Sequence, residues 1–117
     1  MISVQVDIGN IPKKIDKAIA YGLYVTSEQV RKDCNYYIPK DQGTLERSSF
    51  QASDLQRGEI VWDTPYARRL YYHPEYNFSK DKNPHARGLW FEEAKATRGS
   101  QWRTVAQEGV KRGLDRE

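Results

Sequence analysis

The chain has one cysteine, Cys34, one methionine, at its first position, and no long apolar run. A single cysteine cannot close an internal disulfide, and with no apolar leader or spanning segment the expectation is folding in a reducing cytosol, away from any membrane. Excess charge is also scarce: 19 Lys and Arg stand against 16 Asp and Glu, a net +3, with the signs mixed along most of the sequence. A dedicated nucleic-acid binder of this size concentrates positive charge on one face, so the balance permits such binding without arguing for it. The two histidines, His73 and His85, do not combine with Cys34 into the closely paired spacing of a zinc site, and no metal or cofactor is expected. With 38% hydrophobic and 30% charged residues, the 117 residues read as a single domain, 1–117, whose own core is modest.

Aromatic residues are what the chain has in quantity, and they are unevenly placed. Of its fourteen (3 Trp, 8 Tyr, 3 Phe), eight fall between Trp62 and Phe91, beside Arg68, Arg69, Arg87 and both histidines, in a stretch broken by Pro65, Pro74 and Pro84. Tyr, Trp and Arg in this density compose a contact surface. The residues singled out for contact are Tyr66, Arg68, Arg69, Tyr71, Tyr72, His73, Tyr76, Phe78 and Trp90.

Period-two alternation of Ile2, Val4, Val6 and Ile8 predicts a strand ending at Gly9. Asn10 is a good N-cap and Pro12 suits a first turn; Ile15, Ile19, Leu23, Thr26, Val30 and Cys34 then recur at helical spacing, predicting a long helix to about Tyr37 that Pro39 stops. Cys34 lies on its apolar stripe and reads as a small core residue rather than a nucleophile. After a turn at Pro39, Asp41 and Gly43, the segment Arg47 to Ala52 is expected to be extended, Ile60 to Trp62 a second strand and Tyr66 to Tyr72 a third, together an antiparallel meander. Residues 73 to 88 show no period and read as an exposed loop. A C-terminal helix is predicted from near Ser100, carried by Trp102, Val105, Ala106, Gly109, Val110 and Leu114, with Leu89 to Ala96 adding a helical turn or short helix before Gly99, its continuity across Gly99 and Ser100 left open. The fold class is α+β: a long N-terminal helix and a C-terminal helix packed on a small antiparallel sheet.

An order of signals runs through these elements. The long helix ends in Ile38, Pro39, Asp41, Gly43, Leu45 and Ser48; Thr64 to Ala67 reads Thr-Pro-Tyr-Ala; then come Leu70, Tyr71, Tyr72 and His73, the Asn77-Phe78 pair, Asn83-Pro84, and Gly88 to Phe91. In this order the chain, over about residues 12 to 110, resembles the minor capsid and head-tail joining proteins of tailed bacteriophages. The resemblance implies a non-enzymatic virion subunit, assembled in the host cytoplasm. It would sit in a ring at the neck that joins the DNA-filled head to the tail, as the tail-completion component rather than the stopper or connector layer. Implied partners are other copies of itself, neighbouring head-connector and tail proteins, and phage DNA touched non-specifically in the lumen. In such a ring Arg68 and Arg69 are expected to pair with carboxylates such as Glu92 and Glu93 of a neighbour. Two other classes compete: a small nucleic-acid-binding module in which arginines and aromatics hold a strand, and an RNase using His73 and His85 as an acid-base pair.

Overall fold

The computed structural model describes residues 1–7, 17–40 and 43–115. Strand β1 (Ile2–Gln5) pairs antiparallel with β2 (Glu59–Trp62), Ile2 opposite Trp62 and Gln5 opposite Glu59. Between them run α1 (Lys17–Asn35), α2 (Thr44–Ala52) and a single 3-10 turn, Leu55–Arg57; after them come α3 (Ala67–Tyr71) and α4 (Trp90–Asp115). The architecture is α+β, with two long helices and a two-stranded sheet. Ile8, Gly9, the cap at Asn10, Pro12, Ile15 and Asp41 lie outside the described residues.

Helices α1 and α4 lie antiparallel, because Ala18 and Gly22 near the start of α1 meet Gly113 and Gly109 near the end of α4. A Cβ on Gly109 would sit 3.0 Å from the Gly22 Cα, and one on Gly113 would sit 2.6 Å from the Ala18 Cα. Small residues four apart on both helices let the backbones touch here. Toward the other end larger groups fill the gap: the Trp102 indole N–H donates to Asp33 Oδ2 at 2.6 Å, and Gln29 donates to Asp33 Oδ1 at 3.0 Å. Asp33 is a buried carboxylate, and these donors, with Arg98 at 3.8 Å, are what make its burial tolerable.

The core gathers where the sheet meets α1 and the start of α4. Trp62 and Trp90, both fully buried, meet edge to face at 5.8 Å, among Val30, Cys34, Ile38, Leu45 and Ile60. Burying one indole removes roughly 200 Å² from water, worth about 5 kcal/mol before entropy is counted. The Trp62 N–H donates to Asn35 Oδ1 at 3.0 Å, and the Asn35 amide donates to Ser49 Oγ at 3.0 Å, so one side-chain amide ties α1 to both β2 and α2.

Two expectations are corrected, and the continuity left open at Gly99 is resolved. Residues 47 to 52 are not extended but belong to α2, because its inward positions Leu45, Ser48 and Ser49 follow a helical period in serine rather than in apolar residues. Those serines turn their hydroxyls onto the carbonyls of Leu45 and Glu46, both at 2.7 Å, and so can be buried. Tyr66 to Tyr72 is not a third strand: the buried residues of this segment are Ala67 and Tyr71, one helical turn apart, and among the described residues the sheet has two strands. Leu89 to Ala96 and the segment from Ser100 are one helix, since Trp90, Ala94, Gly109 and Gly113 all face the body and their burial outweighs the roughly 1 kcal/mol cost of Gly99 in a helix interior.

Candidate subunit interface

Helix α3 has two turns' worth of residues at most, and its sequence divides them cleanly. Ala67 and Tyr71 point into the core while Arg68, Arg69 and the following Tyr72 point out. The Tyr71 ring stands perpendicular to Trp90 at 4.7 Å and its hydroxyl donates to Glu92 Oε2. Burial, then the bond to Glu92, pushes the Tyr71 pKa well above its ordinary range. Tyr71 and Trp90, 4% and 0% exposed, are therefore core residues of this subunit and present no contact surface of their own.

The other singled-out residues lie at or near the surface. Tyr72 is 58% exposed, and the Arg68 guanidinium lies 5.9 Å above its ring. Neither Arg68 nor Arg69 has a carboxylate within ion-pairing distance among the described residues. Glu92 and Glu93, by contrast, are engaged within the chain, Glu92 by Tyr71 and Glu93 by Arg87 at 2.9 Å. His73 Nδ1 lies 3.0 Å from Glu75 Oε1 and its ring stacks on Tyr76 at 4.7 Å, nearly parallel. The hydrogen bond from His73 holds the Glu75 carboxyl below its ordinary pKa. Tyr76 is 41% exposed; Phe78, 6.3 Å from it ring to ring, is half-buried. These two residues and half-buried Tyr66 line a groove of about 620 Å³ against Leu45 and Leu70.

The loop that carries His73 to Phe78 is fastened at its far end. Asn83, buried, donates from one amide to Tyr36 O at 2.9 Å and Ile38 O at 2.8 Å, and its Oδ1 accepts the His85 N–H at 3.0 Å. Arg87 N–H donates to Tyr37 O at 2.9 Å and Leu89 N–H to Tyr71 O at 2.9 Å. Gly88 passes so near α3 that a Cβ there would meet Leu70 O at 2.7 Å. His85 finds its own partner, stacking on Tyr36 at 4.4 Å. The two histidines thus engage different groups, His73 with Glu75 and Tyr76, His85 with Tyr36, and are not assembled as an acid-base pair.

Sequence reasoning missed Asn83, whose Asn-Pro setting drew notice without a role, and the Tyr36 patch, where Arg98 lies 5.3 Å over the ring. Its signal was faint, since Tyr36, His85 and Arg98 come from three separate elements. Cys34 is fully buried, and burial with the nearby Asp33 and Glu92 charges raises its thiol pKa far above the ordinary range, as befits a packing residue. Among the described residues, no cluster of three or more His, Cys, Asp or Glu is placed to hold a metal ion, and no helix is long and apolar enough to cross a membrane.

Comparison with curated proteins and with solved structures gives no significant match. Residues 2–110 match the family described as minor capsid protein, nearly the whole of the chain. The chain belongs to the minor capsid protein family and is a structural component of the bacteriophage virion.

Proposed function

We propose that this minor capsid protein is a subunit of the ring that joins head to tail at the neck of the virion, serving as its tail-completion component. The observation that carries the reading is Arg68 and Arg69, without an ion-pair partner among the described residues, beside Tyr72, an arginine-aromatic surface held on a short helix whose opposite side is locked into the core. Rigid aromatic and guanidinium groups bind with little loss of conformational freedom, and such residues dominate subunit interfaces. In a ring one face of each copy meets a different face of the next, so the carboxylates that pair with these arginines would come from a neighbouring copy or from adjoining head-connector and tail proteins. The role is mechanical rather than catalytic, exercised in the particle after assembly in the host cytoplasm. DNA crossing the lumen would meet basic side chains without being gripped.

Replacing Arg68 and Arg69 together with Glu tests the surface directly. The doubly substituted chain should keep the far-ultraviolet dichroism of the wild type yet fail to enter particles when supplied to a phage lacking the gene. Incorporation at the wild-type level would reject this surface as the contact.

A further inference from the structure

The loop between α3 and α4 is held unevenly along its length. Its second part is tied to the body: buried Asn83 donates to Tyr36 O and Ile38 O, Ala86 is fully buried, and Arg87 N–H donates to Tyr37 O. Its start is fixed at the end of α3, where Tyr72 N–H donates to Arg68 O at 3.1 Å. Between these anchors residues 73 to 82 form neither helix nor strand, and among the described residues their hydrogen bonds stay within the loop. Tyr76 N–H donates to His73 O and Phe78 N–H to Tyr76 O, both at 3.1 Å, and Asp81 N–H donates to Ser79 Oγ at 3.3 Å. His73 pairs with Glu75, and Lys80 Nζ donates to Ala86 O. A segment whose bonds are internal and mostly exposed to water opens as a unit at little cost, while the anchored parts on either side stay folded.

This strap stands off the body. The groove of about 620 Å³ is lined by Leu45, Tyr66 and Leu70 of the body and by Tyr76 and Phe78 of the strap. Tyr66, Leu70 and Phe78 are only half-buried and Tyr76 is 41% exposed, so apolar surface meets water on both sides of the groove. Shutting the strap onto the body would take that surface out of water, which favours closure. The rings that touch Tyr76, His73 at 4.7 Å and Phe78 at 6.3 Å, belong to the strap and travel with it. Lys40, the charged group among the described lining residues, is already paired with Glu46 at 3.0 Å, so closure need not strand a charge.

Resting on the ring reading above, we infer that residues 73 to 82 are a strap that moves between the position observed, with Tyr76 at the surface, and one shut onto Leu45 and Leu70, and that a docked neighbour holds it in the first. The hinges are the two anchors, Tyr72 at the end of α3 and Asn83 on the carbonyls of α1. Shut, the strap withdraws Tyr76 from the surface that also presents Tyr72 and Arg68, leaving the free subunit a smaller contact face. A neighbour that binds the surface with Tyr76 in place draws the population to the observed position, because it meets that position alone. The strap thus makes association depend on the neighbour's contact rather than on a face permanently on offer.

The test uses the full chain with Thr44→Cys and Ser79→Cys, two exposed positions that line the groove from α2 and from the strap, Cys34 being buried. Mild oxidation of the free protein should close a disulfide within the chain, seen as a faster-running single chain without reductant. Supplied to a phage lacking the gene, the oxidised chain should enter particles at least tenfold less than the same chain after reduction. No disulfide would overturn the shut position; equal entry of the two forms would overturn the hold by a neighbour. Hydrogen exchange of the wild type reads the same motion without substitution. Amides from Glu75 to Lys82 should exchange together in the free chain, at least tenfold faster than those of Arg87 and Leu89, and should slow in assembled particles. Rates equal to those of Arg87 and Leu89 would overturn the strap. Immunogold labelling separates the strap from the ring: label away from the head-tail junction would overturn the ring reading and the hold by a neighbour, while the disulfide in the free chain would still support closure.

Discussion

Asn83 fixes the aromatic loop to the body through the carbonyl of Ile38, to which its side-chain amide donates at 2.8 Å in a buried setting. The same amide serves Tyr36 O, so a single residue satisfies two carbonyls at the end of α1, where helical bonding has run out. Asn83→Ala should destabilise the fold by about 2–4 kcal/mol, one buried and one part-buried acceptor losing their donor. Asn83→Asp should be worse, because a carboxylate would face two carbonyl oxygens. Urea unfolding reads the stability, and limited trypsin digestion should cut after Lys80 and Lys82 sooner in either variant. Wild-type stability in Asn83→Ala would show that the loop is held by other means.

Glycines on α4 are expected to fall into two kinds. A Cβ at Gly109 would meet Val25 Cγ2 at 2.5 Å and the Gly22 Cα at 3.0 Å, whereas one at Gly99 would meet nothing nearer than Lys95 Cγ at 3.5 Å. Gly109→Ala should therefore part the helices and cost about 1–3 kcal/mol. Gly99→Ala should stabilise by about 0.5–1 kcal/mol through better helix propensity. Chemical denaturation of the two variants beside the wild type decides the matter; equal effects of one sign would refute the close-contact seam.

Alkaline pH should unfold the protein through two groups that must stay neutral. Tyr71 and Cys34 both have pKa values raised in the folded chain, chiefly by burial. Their stabilisation is present in full below the ordinary tyrosine and thiol values, roughly 10 and 8.5, and is lost as the pH rises beyond them toward the folded values. Tyr71→Phe should lose about 1 kcal/mol at pH 7 with the bond to Glu92, yet decline less steeply between pH 9 and 11. Urea midpoints across that range give the slope. An unchanged alkaline slope would mean that Tyr71 is not held neutral by its surroundings.

How far the fold was legible depended on which residues carried each period. Val4 and Val6 alternate with polar neighbours, and the stripe of Ile19, Leu23, Thr26, Val30 and Cys34 repeats at helical spacing, so β1 and α1 could be read directly. In α2 the inward positions are serines, which hydropathy reads as polar; only their bonds to Leu45 O and Glu46 O let them be buried. In α3 the alternation of Tyr66, Arg68, Leu70 and Tyr72 imitated a strand, while the Ala67 to Tyr71 spacing that governs burial was too short to stand out. The density of aromatics marks the stretch that holds α3 and the loop after it, but density cannot separate Tyr72, turned outward, from Tyr71, turned into Trp90. That distinction is made by α3, and it leaves Arg68, Arg69, Tyr72 and Tyr76 as the residues available to a partner.

The most direct measurement is to disrupt the gene in the phage that carries it and image the lysate by negative-stain electron microscopy. A neck subunit that completes the tail leaves DNA-filled heads beside separate tails, with tails of abnormal length where completion fails. Normal, infectious, joined particles would contradict the account.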